Sequence, residues 1–304
     1  MSMGVLNNIA ATYAANNLSN TQASLQNVLT QLSSGSRINS GADDAAGLSL
    51  ANGLQANQSA LTQSASNVNL GVGLLQTADG ALSQVNNLLN RAVTLATEAG
   101  NGTLNGSQDA AANQEYKSIL AEINNIGATT TYNGNAVFGA SASIYTSDGT
   151  ATGTSVDTLT IAALTSASVG DANGTIKYTA AAGTTPATIS YTVGAGATDK
   201  IDLSTTDLTT SAKAQSALTA IGTAITDIAA QRGYLGSQIN TLNSMAGVET
   251  TQSENLASAS NSIMATDYTT ATSMLSKYQI LTQTGISALA QANSTQQAVT
   301  KLLQ

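Results

Sequence analysis

The sequence predicts a mainly α fold: a long antiparallel coiled-coil or helical-bundle rod formed by both termini, carrying a β-hairpin and a small β-rich insert. Three observations carry this expectation. Large apolar residues recur every seven positions at Leu54, Leu61, Val68, Leu75, Leu82 and Leu89, a spacing that draws one stripe along a helix and supercoils it left-handedly against a partner. A second run, Leu218, Ile221, Ile225, Ile228, Leu235, Ile239 and Leu242, follows the same alternating three-and-four step and supplies that partner. Between the two runs the composition shifts to Thr, Ser, Ala, Gly and Asp in short alternating segments, the pattern of half-buried strands.

The elements follow in chain order. Residues 5–34 read as an amphipathic helix with Leu18, Leu25, Leu29 and Leu32 on its stripe; Gly35 ends it and a polar connector, 36–44, follows. The long helix then runs from the 40s to about residue 99 without a proline. At 1.5 Å per residue it would be on the order of 70 Å long, which requires partner helices. Gly100, Asn101 and Gly102 stop it. Residues 107–126 place Tyr116, Ile119, Leu120, Ile123 and Ile126 on one face, so this helix can fold back along the long one. In 129–138, Asn133-Gly134 sits between Thr/Tyr and Val/Phe pairs, a hairpin signal because a type I′ turn demands positive φ at both positions.

The insert, 141–206, offers strand-like stretches at 158–161, 175–179, 188–193 and 200–203, with turn signals such as Asn173-Gly174 and the single proline, Pro186. Few large apolar residues occur in it, so it reads as a marginally stable outward decoration. Helical spacing returns near Thr209 and continues through Leu256 and Ile263 to Asp267. Arg232 takes the place between Ile228 and Leu235, where either register-setting or snorkelling at the edge would satisfy its charge. A last helix, 268–303, carries Leu275, Tyr278, Leu281 and Leu289. The domain expectation is thus threefold: terminal helices 1–43 with 265–304, a bundle of 44–140 with 207–264, and the insert 141–206.

Composition narrows the function classes. Of 304 residues, 9% are charged and 3% aromatic, with no Trp, His or Cys, which suits a thin Ala-rich bundle better than a thick globular core. Thiol nucleophiles, Ser-His triads and His-rich zinc sites are excluded, so no enzyme and no cofactor are expected. The adjacent Asp43 and Asp44 precede an Ala-rich helical start and read as capping carboxylates, not as an acid–base or metal pair. Gly71 and Gly73 lie inside the heptad helix with no preceding strand, so they make no phosphate loop. A net charge of −8 with only nine scattered Lys and Arg argues against nucleic acid. No apolar run reaches the roughly 18–20 residues that cross a bilayer, and no cleaved secretory signal is expected in residues 1–15.

Charge placement is more specific. Before Asp43 the only charged side chain is Arg37, and after Asp267 only Lys277 and Lys301 are charged. Isolated helices of such neutral, amide-rich sequence are marginal in water. We read the two ends as interaction segments ordered by other copies of the chain, with Leu18, Leu25, Leu29, Leu32, Leu275, Tyr278, Leu281 and Leu289 as polymer contacts.

The motifs at the two ends carry a family resemblance. Leu32-Ser-Ser-Gly-Ser-Arg37-Ile-Asn39 and Asp43-Asp-Ala-Ala-Gly47 stand in the first part, with Ala265-Thr-Asp-Tyr268, Gln279-Ile-Leu281 and Ala288-Leu-Ala-Gln-Ala-Asn293 in the last. In this order they make the chain resemble bacterial flagellin over 1–140 and 210–304; the insert has no comparable match. The resemblance implies a structural subunit exported unfolded through the flagellar type III apparatus and polymerised under a filament cap into the extracellular flagellar filament for motility. An export chaperone, the cap and hook-junction proteins are the partners it implies. It further implies nested inner tubes of terminal helices, an outer tube of bundle helices and a solvent-facing insert. Absence of Cys suits passage of an unfolded chain. A Toll-like receptor of an animal host is also implied as a partner, through Arg91, Leu95 and Glu115, although Glu98 stands where many detected flagellins carry Gln. The alternative reading is a hook-filament junction protein, similar at both ends but forming a short ring; an adhesive insert is a further alternative.

Overall fold

The structure, a computed structural model, describes residues 8–146, 156–169, 175–179, 188–192 and 202–302. The chain forms two compact units, residues 1–56 with 255–304 and residues 57–254.

In the first unit, helix α1 (Ile9–Ser34) packs against α5 (Tyr268–Leu302). Asn8 caps α1 by accepting the Ala11 N–H, and Gly35 ends it at φ 71°, a left-handed conformation suited to glycine. Burial on α1 falls at Ala11, Ala14, Leu18, Thr21, Leu25, Val28 and Leu32, and on α5 at Ala271, Leu275, Tyr278, Thr282, Gly285, Leu289 and Ala292. Both series alternate steps of three and four, so the pair is an antiparallel coiled coil. Its two ends are marked by contacts: the Asn8 amide donates to the Ala292 carbonyl at 3.0 Å, and Ser36 bridges Ala265. Around that bridge the Arg37 N–H donates to the Met264 carbonyl at 2.6 Å, Thr266 N–H to Gly35 at 3.0 Å, and the Arg37 guanidinium to Ile263 at 2.9 Å. Residues 5–7 of the expected first helix lie outside the described residues.

The second unit holds residues 57–100 of the long helix α2 (Ala45–Gly100), which run antiparallel to residues 211–254 of α4 (Ser211–Met264). Three contacts along the pair mark this direction: the Gly100 carbonyl accepts from Ser211, Asp79 pairs with Arg232, and Ser64 bonds Glu249. Leu61, Val68, Leu75, Leu82 and Leu89 are buried, while Leu54 is half-buried. A second line, offset by three residues, is buried too and consists of small side chains: Ser64, Gly71, Ala78, Val85, Ala92 and Ala99. On α4 the buried lines are Ala214, Ile221, Ile228, Leu235, Leu242 and Glu249, and Ala217, Ala224, Gln231 and Gln238; Leu218, Ile225 and Ile239 are half-buried beside them. The place expected for Arg232 in this seam belongs to Gln231. Arg232 stands at the rim, half-exposed, and forks onto Asp79 at 2.7 and 3.2 Å, which is where a guanidinium keeps contact with both carboxylate and water.

Helix α3 (Gly106–Thr129) opens with a reciprocal capping box between Asn105 and Gln108 and buries Tyr116, Ile119, Leu120 and Ile123. The hairpin follows: β1 (Thr131–Tyr132) pairs with β2 (Asn135–Ala136), and Asn133 and Gly134 take φ of 51° and 79°, as a type I′ turn requires. Further antiparallel pairs join β3 (Ser141–Tyr145) to β4 (Val156–Thr160) and β5 (Thr175–Thr179) to β6 (Thr188–Thr192).

Three expectations for the insert change. Strand β3, Ser-Ala-Ser-Ile-Tyr, was not expected because its small residues carry little β preference; pairing with β4 and the docking of Ile144 impose it. The stretch expected as a strand at 200–203 ends instead in a 3-10 turn, Leu203–Thr205, capped by the Asp202 carboxylate; residues 200–201, Asn173-Gly174 and Pro186 lie outside the described residues. Nor is the insert wholly a decoration. Ile144, Leu159, Ile161, Leu164, Val169 and Leu203 are buried in the same core as Leu75, Leu82 and Ile221. Glycines on the helices make this approach feasible. A Cβ at Gly71 would lie 1.9 Å from the Ile144 side chain, one at Gly73 2.7 Å from the Tyr132 hydroxyl, and one at Gly127 1.9 Å from the Leu164 carbonyl oxygen.

Candidate functional site

The candidate site is the outer surface of the α1–α5 pair. The eight residues expected there as polymer contacts divide into two sets. Leu18, Leu25, Leu32, Leu275, Tyr278 and Leu289 are half-buried on the seam lines that join α1 to α5, where Leu18 also closes on Gly285, a Cβ at which would lie 3.2 Å from its side chain. Leu29 and Leu281 face outward, 47% and 41% exposed. They are joined there by residues that sequence reasoning passed over: Ile9 and Tyr13 on α1, and Met274, Ile280 and Ile286 on α5, with Tyr13 68% exposed. The signal for them was present as a second apolar phase, Ile9 with Tyr13 four apart and Met274 with Leu281 seven apart. The dominant stripe concealed it.

Electrostatics leaves this surface nearly neutral. From Ile9 to Ser34 no side chain is charged, and on α5 the Lys277 ammonium lies 5.9 Å from the Tyr278 ring centroid. The carboxylates at the ends of the unit are engaged in capping. Asp44 accepts the Gly47 N–H at 2.8 Å, and Asp267 accepts the N–H groups of Thr269 and Thr270 at the start of α5. Asp43 accepts the N–H groups of Asn39 and Ser40 at 3.0 and 2.9 Å, and these bonds hold its carboxyl below the ordinary value. Both members of the Asp43-Asp44 pair therefore shape the connector, and among the described residues no group of three or more His, Cys, Asp and Glu is placed to hold a metal ion. No described helix is long and apolar enough to cross a membrane.

The three residues implied as receptor contacts separate as well. Arg91 forks onto Glu115 at 2.7 and 3.1 Å on the surface of α2 and α3, which holds the Glu115 carboxyl below its usual value. Leu95 does not share that surface. It is 3% exposed and packs in the core with Ala92, Ala96 and Ala99, because α2 is covered here along a face wider than one seam line.

Comparison with known proteins follows the same division of the chain. The family model of the bacterial flagellin N-terminal helical region matches residues 5–143, and that of the C-terminal helical region matches residues 218–303. Flagellin of Halalkalibacterium halodurans is 31% identical over 308 residues, covering 99% of this chain and 100% of that one. Flagellin 1 of Proteus mirabilis is 40% identical over 134 residues, a match that spans 44% of this chain and 37% of the relative. Among solved structures, Bacillus cereus flagellin is similar with a TM-score of 0.44 at 28% identity, covering 64% of this chain and 94% of that one. With both helical regions matched and one relative aligned from end to end, the chain belongs to the bacterial flagellin family.

Proposed function

We propose that this chain is the structural subunit of an extracellular flagellar filament, and that copies associate through the outward apolar residues of the α1–α5 pair. The observation that carries the reading is the row of large side chains left uncovered on that pair: Ile9, Tyr13, Leu29, Met274, Ile280, Leu281 and Ile286. Isolated exposed apolar residues need no explanation, whereas a set this dense on a nearly uncharged helix pair calls for a partner. A second copy supplies one, since identical contacts that do not close into a ring generate a helical polymer. The marginal helices of the two ends gain order at the growing tip, where association offsets their conformational entropy. In this reading the chain is exported unfolded, meets an export chaperone, the filament cap and hook-junction proteins, and has no catalytic role. Recognition by an animal receptor would rest on the exposed Arg91–Glu115 pair and not on Leu95.

Two substitutions test the contact surface. Leu281→Asp, on the outward face, should leave the helicity of the monomer intact and abolish polymerisation, because it sets an unpaired charge into the association surface. Leu25→Asp, on the α1–α5 seam, should lower monomer helicity as well. Circular dichroism of the monomers and electron microscopy after seeding read both. Normal filaments from Leu281→Asp would overturn the assignment of this face.

A further inference from the structure

Helix α4 buries two carboxylates, Asp227 and Glu249. Continuing the line Ile221, Ile228, Leu235 and Leu242 by seven residues brings α4 to Glu249, 6% exposed and opposite the equally buried Ser64. The Ser64 hydroxyl donates to Glu249 Oε1 at 2.6 Å and lies 3.4 Å from the Tyr145 carbonyl at the end of β3, which Asn67 Nδ2 also reaches at 3.4 Å. Glu249 Oε2 is buried without a hydrogen-bond partner. A carboxylate with one oxygen left dry is costly when ionised and far less so when protonated.

The groups around it do not favour the charge. Helix α2 carries no charged side chain between Asp44 and Asp79. Strand β3 brings the Tyr145 carbonyl, Tyr145 itself being exposed, and Asp157 on β4 pairs with Ile144 in register. On α4 itself Glu254 follows, exposed; Asp148 lies outside the described residues. Among the described residues, neither 45–78 of α2 nor 243–264 of α4 includes a Lys or Arg.

We propose that the Ser64–Glu249 layer is a proton-operated latch: protonated, Glu249 joins α4 to α2 and to the end of β3, and ionised, it lets residues 57–67 and 243–254 open locally. Burial pushes the Glu249 carboxyl above its ordinary value, and the Ser64 hydrogen bond offsets part of that rise. The sign follows by linkage. A carboxyl raised in the folded state contributes stability in full below its unfolded value, and that contribution is lost as pH rises through the folded value. The latch is independent of the filament reading, since it acts within one chain.

Hydrogen exchange on the full-length monomer at pH 5 and pH 8, corrected for intrinsic exchange, tests the proposal. Protection of peptides from 57–67 and 243–254 should fall as pH rises, about tenfold per unit by which the folded carboxyl value is raised, while peptides from 75–92 and 221–235 stay level. Glu249→Gln should make the two segments insensitive to pH and as protected at pH 8 as the native chain is at pH 5. Ser64→Ala, which removes the offsetting donor, should move the midpoint to higher pH. Level protection across pH in the native chain, or the same fall persisting in Glu249→Gln, would overturn it.

Discussion

At Gly127 a single hydrogen atom decides whether the segment after β4 reaches the helices. Substituting alanine in a helix interior ordinarily stabilises by roughly 0.5–1 kcal/mol relative to glycine. Here the added Cβ would meet the Leu164 carbonyl oxygen at 1.9 Å, a backbone atom that cannot rotate away. Gly127→Ala is therefore expected to destabilise by about 1–3 kcal/mol, whereas Gly80→Ala, with nothing within 4 Å, should follow the ordinary preference and stabilise. Denaturant unfolding of the two variants beside the native chain checks the contrast, and equal shifts of the same sign would show that Leu164 is not held against α3. The same local logic separates Arg232 from Gln231. Sequence spacing identified a polar residue near the seam, but a one-residue step, about 100° around a helix, decides which of two neighbours is buried.

Among the elements, α1 to α5 and the hairpin were legible because their signals are local: seven-residue apolar spacing, Gly35 after Ser34, Gly100, Asn101 and Gly102 at the end of α2, and Asn133-Gly134 in the turn. The insert was less legible because its meaning is not local. Leu159, Ile161, Leu164, Val169 and Leu203 are few in number and widely spaced, yet all are buried in the bundle core. Removing 147–206 would strip these residues from the core and uncover Ile144 and Tyr116. Large-to-small truncations in cores cost roughly 2–5 kcal/mol each, so this excision should abolish cooperative unfolding of the second unit. Replacing only 171–200 with a short Gly/Ser linker spares all five residues and should leave cooperative unfolding and polymerisation in place. Thermal denaturation followed by circular dichroism distinguishes the two, and a cooperative transition in the larger excision would restore the decorative reading.

For the whole molecule, the distribution of charge matters more than its total. The net charge is −8, yet the described part of α1 has no charged side chain, and the exposed row on α1 and α5 is apolar. Association through such surfaces should respond to agents that strengthen apolar burial and little to simple screening. Ammonium sulfate should thus lower the concentration at which seeded polymerisation begins, while sodium chloride at matched ionic strength should change it far less. Sedimentation of polymer across a concentration series measures both, and equal responses to the two salts would point to charged contacts outside the α1–α5 pair.

The sequence by itself determined the period, length and stops of the helices, the hairpin turn, the family and the exclusion of chemistry that needs His or Cys. Each depends on interactions between residues close along the chain, or on side chains simply being absent. Only the tertiary structure decided which residues face which partner: Leu18 and Leu25 turned to the α1–α5 seam while Leu281 faces outward, Leu95 buried beside the exposed Arg91, and Glu249 in the seam opposite Ser64. A heptad repeat specifies that a helix has a buried line, but the number of its partners and their positions around it come from packing between segments far apart in sequence.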